Sequence, residues 1–87
     1  MRLGKRYVIV RIDARNCDQR IAALGPFRRL GRARRRLDRL AAEIEACGIA
    51  VRRIGEDEIF WTGHGREEDA VFFQITAVDD PRRFWPL

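Results

Sequence analysis

Apolar residues alternate along the segment from Lys5 to Asp13: Val8, Val10 and Ile12 fall on one face, Tyr7, Ile9 and Arg11 on the other. A period of two in β-branched residues predicts a strand, and this one runs directly into Asp13. Asp18 then suits the N-cap of a short helical turn through Ile21 and Leu24, which Gly25 would close. Pro26 fits the first turn of a new helix. From about Phe27 to Cys47 the spacing changes to three and four, and Phe27, Leu30, Ala33, Leu37, Leu40, Ala41 and Ile44 form one stripe ahead of Gly48. Ile49 to Ile54 and Ile59 to Thr62 read as two strands joined by the tight reversal Gly55-Glu56-Asp57-Glu58. Gly63-His64-Gly65-Arg66 opens a loop, and Ala70 to Val78 alternates again as a fourth strand.

The expected order is β-α-β-β-β in a single domain over residues 1–87, an α+β fold with one long helix on one face of a small sheet. Tyr7, Ile9, Phe60, Phe72 and Val78 would fall on the other face, which needs cover. A homodimer partner or the Phe84-Trp85 tail would supply it. The same aromatics would otherwise offer a platform for stacked bases.

Hydrophobic residues at 46% and charged residues at 36% place the chain with globular proteins. No apolar run approaches the roughly 20 residues that span a bilayer, so no membrane partner is expected. The opening Met1-Arg2-Leu3-Gly4-Lys5-Arg6 leads straight into the first strand, without the pattern of a signal peptide. Cys17, Cys47 and His64 are too few for a zinc site or a disulfide framework. Two reduced thiols in a cytoplasmic protein are expected.

The net charge of +5 hides an asymmetry. Residues 1–42 carry most of the Lys and Arg against only Asp13, Asp18 and Asp38, whereas the remainder is acidic. Arg28, Arg32, Arg35 and Arg39 line one helix face, with Arg29 and Arg36 beside them. Such a face docks phosphates of nucleic acid, or it is solvated and held in local pairs such as Arg34–Asp38 and Arg39–Glu43.

A strand, a crossover helix and a second strand of one sheet normally run parallel. Asp13 would then end the first strand beside the turn that ends the second, bringing it to Asp57 and Glu58. Three converging carboxylates suit Mg²⁺ or Mn²⁺, with the remaining ligands taken from substrate phosphates. Backbone N–H groups of Ala14, Arg15, Asn16 and Cys17 would hold a triphosphate at the start of the helical turn.

These residues resemble a family. Tyr7-Val-Ile-Val-Arg-Ile-Asp13-Ala-Arg-Asn16-Cys-Asp-Gln-Arg-Ile21 looks like the first strand and loop of palm-domain nucleotide polymerases and cyclases. Ala46-Cys-Gly48-Ile-Ala-Val-Arg-Arg-Ile-Gly55-Glu-Asp57-Glu58-Ile-Phe60 looks like their second strand and acidic hairpin. The minimal CRISPR polymerases are similar in size, and the tRNA-His guanylyltransferases share the Arg11-Ile12-Asp13 and Asp57-Glu58-Ile59 patterns. The resemblance covers roughly residues 5–62. It implies a truncated ferredoxin-like palm in which Asp13 and Asp57 hold metal, Glu58 is a ligand or the base, and Gly55 shapes the hairpin. It further implies a homodimeric, Mg²⁺-dependent nucleotidyltransferase making a cyclic di- or oligonucleotide from NTPs, ATP above all, in antiphage defence. Glu56 stands at the family's second Gly, Arg15 replaces an acid that many members carry, and a second palm helix is missing. The alternatives are a degenerate palm that binds nucleotide or nucleic acid through its arginines, and a small protein-interaction module.

Overall fold

The computed structural model describes residues 5–16, 20–62 and 69–79. Their order is β1 (Arg6–Asp13), a 3₁₀ turn (Ala14–Asn16), β2 (Arg20–Phe27), α1 (Leu30–Ala46), β3 (Arg52–Ile54), β4 (Glu58–Thr62) and β5 (Ala70–Val78). The strands form one five-stranded sheet in the order β2-β1-β5-β4-β3, with every neighbouring pair antiparallel. The fold is α+β, one helix packed on an antiparallel sheet. Among the described residues no helix is long and apolar enough to cross a membrane.

β1 lies inside the sheet, and its contiguous Val8, Ile9 and Val10 are buried on both faces. The helical stripe places Leu37 and Ala41 against Ile9, Ile59 and Phe73, flanked by Leu40, Ile44, Trp61 and Ile75. Trp61 stacks on Phe73 at a centroid distance of 5.4 Å. At the far end of the helix the Gly48 N–H donates to the Glu45 carbonyl at 2.9 Å.

The expected distribution between faces is partly corrected. Ile9 packs under α1, and the strand alternation puts Tyr7 on that side with it. Val8, Val10 and Val78 cluster on the opposite face with Ile12, and Phe60 stacks on Phe72 on that face at 5.3 Å. Cys17, Asp18, His64 and the Phe84-Trp85 tail lie outside the described residues.

The larger correction is β2. Ile21 and Leu24 do not form a helical turn; they pair across to Arg11 and Ile9 in an antiparallel ladder. Local signals favoured a turn, but the open edge of β1 offers a row of backbone partners, and long-range pairing overrides weak propensity. Pro26 therefore ends this edge strand, where its missing N–H costs no ladder bond. Arg29 is still extended (φ −118°, ψ 137°), so α1 starts at Leu30, later than the apolar spacing suggested. Gly25 has φ +117°, and a Cβ there would lie 3.1 Å from the Tyr7 carbonyl oxygen. Gly25→Ala is expected to cost about 1–3 kcal/mol, read from the urea midpoint.

The extra strand changes every direction downstream. α1 connects β2 to β3, which run parallel to each other at opposite edges of the sheet. β1 and β3 are antiparallel, so the ends of these two strands point to opposite ends of the sheet.

Candidate functional site

Asp13 pairs with Val71 at one end of the sheet. Glu58 pairs with Gln74, which pairs in turn with Val10, three positions back along β1 and two strands across. The backbones of Asp13 and Glu58 are thus about 10 Å apart in each direction. Asp57 lies farther still, its carbonyl accepting from the Ile75 N–H at 2.8 Å. The expected meeting of Asp13 with Asp57 and Glu58 does not occur, because it assumed a parallel crossover between β1 and the strand after the helix.

The two hairpin acids also diverge from each other. Asp57 turns towards α1 and accepts from Arg34 Nε at 2.7 Å. Glu58 accepts from Gln74 Nε2 at 3.4 Å on the sheet face away from the helix. Among the described residues, no group of three or more His, Cys, Asp or Glu is placed to hold a metal ion. The residues expected to hold Mg²⁺ or Mn²⁺ do not fit a shared ion. Asp13, Ala14 and Arg15 line one open depression of about 360 Å³ with Asp69, to which Arg15 is ion-paired. Gly55, in its positive-φ turn (63°), borders another depression of about 340 Å³ with Arg34, Asp38, Arg53 and Glu56.

Arg34 clamps the hairpin to the helix. Its guanidinium reaches Asp57 through Nε and Glu56 through Nη1 at 3.2 Å. The hydrogen bond that Arg34 donates to Asp57 raises the Arg34 pKa above its ordinary value, and the charges of Asp57 and Glu56 add to it. A raised folded-state pKa means that the contribution is complete below the ordinary value and is lost only as pH climbs through the raised one. The clamp is therefore constant across the neutral and mildly alkaline range. A double-mutant cycle of Arg34→Ala and Asp57→Ala should show the double variant losing less stability than the sum of the singles. Added salt should shrink that coupling.

Most of the acids near the helix are consumed in this way. Arg53 Nη1 donates to Asp38 at 2.6 Å, in place of the expected Arg34–Asp38 pair. Arg39 pairs with Glu43 at 3.4 Å, as the spacing suggested, and Arg36 approaches the same carboxylate at 3.9 Å.

Arg28, Arg29, Arg32 and Arg35 are different. They are exposed, and none has an ion pair or side-chain hydrogen bond to a described residue. With Pro26 and Phe27 they line a cavity of about 640 Å³ at the start of α1. That first turn carries no acidic residue and no side-chain cap on its N–H groups. Helix starts normally favour acids, so cations here cost roughly 0.3–1 kcal/mol each where exposed. The sequence signal was available: no acid occurs between Asp18 and Asp38, a span holding seven arginines. What it could not show was that Arg28 and Arg29, just after β2, line one cavity with Arg32 and Arg35. Guanidinium groups and helix N–H donors together are the chemistry that recognises anions with several oxygens.

No protein-family model, curated protein or solved structure matches this chain.

Proposed function

We propose that this chain is a non-catalytic module that binds the phosphate backbone of nucleic acid through the arginine face at the start of α1. One observation carries the reading: Arg28, Arg29, Arg32 and Arg35 line a single cavity with no acidic partner among the described residues, while neighbouring arginines are tied to acids. Arg32, Arg35 and Arg39 lie along one side of the helix, because steps of three and four share a face, with Arg39 already paired to Glu43 at the far end of the row. At 1.5 Å per residue the row spans about 10 Å, the axial length of about three phosphates in one strand.

Nucleotidyl transfer is the weaker proposal. It keeps the short acidic motifs and the ferredoxin-like, palm-type reading of the sheet, but it needs Asp13, Asp57 and Glu58 around one divalent pair. The homodimer proposed with it rested on an uncovered sheet face. Val8 and Val10 on that face are only 0% and 1% exposed, which leaves the Phe60–Phe72 pair as its remaining support.

Affinity for a short duplex measured at several salt concentrations tests the reading. Contact with about four phosphates gives a slope near −4 in log K against log salt. A flat salt response, or Mg²⁺-dependent pyrophosphate release from ATP, would replace this reading with one of its rivals.

A further inference from the structure

We infer that the cavity at the start of α1 takes a terminal phosphate monoester at the end of a nucleic-acid strand, a site that rests on the phosphate-binding reading above. Three observations lead there. First, the recess is concave, and its volume of about 640 Å³ falls within the range of small-molecule sites, so it admits a terminal nucleotide rather than a bare ion. A continuous backbone crosses a convex helix face more readily than it bends into a recess and out again. Second, the charge exceeds what an internal phosphate can answer. Arg28, Arg29, Arg32 and Arg35 surround the recess, and an internal phosphodiester brings one negative charge to them. A phosphate monoester brings about 1.5 to 2, on three strongly accepting oxygens. Third, the Leu30 and Gly31 N–H groups have no acceptor among the described residues, whereas the Arg32 N–H already donates to the Arg29 carbonyl at 3.1 Å. Arg29 caps the helix without a side-chain hydrogen bond, and a Cβ at Gly31 would meet nothing within 4 Å. Packing does not require glycine there, and the small residue leaves the backbone donors accessible.

In this arrangement the monoester oxygens take guanidinium hydrogen bonds from the arginines, with the Leu30 and Gly31 N–H groups behind them. The sugar and base of the end residue lie against Pro26 and Phe27. The following phosphates leave along the exposed Arg35–Arg39 side of the helix.

The test uses one oligonucleotide sequence with a 5′-phosphate, a 3′-phosphate or hydroxyl at both ends. Each is titrated by fluorescence anisotropy against the full chain and against Arg28→Ala/Arg29→Ala. One of the two phosphorylated forms is expected to bind about tenfold tighter than the hydroxyl form, and which one does so identifies the end recognised. The double variant should reduce that preference to about one, with its circular dichroism unchanged. Equal binding of all three forms to the wild type would overturn the terminal site while leaving backbone binding in place. A preference retained by the double variant would overturn its location. No binding of any form would remove the underlying reading as well.

Discussion

Replacing Arg32 and Arg35 together by alanine is expected to weaken binding to a short duplex by about a hundredfold at low salt, while the protein becomes slightly more stable. Both side chains line the cavity, and on the phosphate-binding proposal each supplies one phosphate contact, so the salt slope should flatten by about two. Stability should move the other way for two reasons. Alanine is the better helix former, and removing a cation from the first turn relieves its repulsion from the positive end of the helix. Arg32 sits in that turn and is exposed, so its replacement should add roughly 0.3–1 kcal/mol. Arg32→Glu should carry both effects further, stabilising the helix start and opposing phosphate. Anisotropy titrations and urea melts on the same samples read the two effects separately. Were these arginines structural, affinity and stability would fall together.

Leu37→Ala is expected to have the largest effect on the fold. Leu37 is fully buried and joins the helix to Ile9, Ile59 and Phe73, which come from β1, β4 and β5. Truncation leaves a cavity where three strands meet the only helix among the described residues, and such changes cost about 2–5 kcal/mol. A domain of this size holds roughly 5–10 kcal/mol in total, so a fall in Tm of about 10–25 °C is expected. Ala41 beside it is already small, leaving no bulky neighbour on that side to fill the space. Arg39→Ala, at an exposed position two residues on, serves as the control and should stay within about 0.5 kcal/mol. Because the arginine face stands on this helix, Leu37→Ala should also lose binding, but in proportion to the fraction unfolded.

Much of the fold was legible where a single period governs a long segment. β5 occupies the residues its alternation marked, and the three-four spacing named the helix residues that became buried. The hairpin around Gly55 was equally plain, since the turn residues sit between two apolar runs, although its first strand is only Arg52–Ile54 rather than the expected Ile49 to Ile54. β2 was not legible. Asp18 and Gly25 are sound helix boundary signals, and Ile21 remains half exposed even in the sheet, so no apolar alternation advertised the strand. Its existence depends on the unsatisfied edge of β1, a property of the assembled sheet. That single omission reversed the direction of the strand after the helix and so separated Asp13 from Asp57.

The charged residues divide in a similar way. Their positions and the shared helix face could be read directly, but their partners could not. Arg34 was expected to pair within the helix and instead reaches across to Glu56 and Asp57, while Asp38 is taken by Arg53. Both exchanges join residues distant in sequence. The set without an acidic partner among the described residues, which defines the candidate site, is visible only after those exchanges are known.

The most direct test is a two-dimensional ¹⁵N NMR titration of the full chain with a short oligonucleotide at low salt. The account predicts shift changes concentrated at Phe27 to Arg35, with Ala14–Asn16 and Gly55–Glu58 unmoved and no dependence on Mg²⁺. Changes centred on Asp13, Asp57 and Glu58 that appear only with Mg²⁺ and ATP would contradict it.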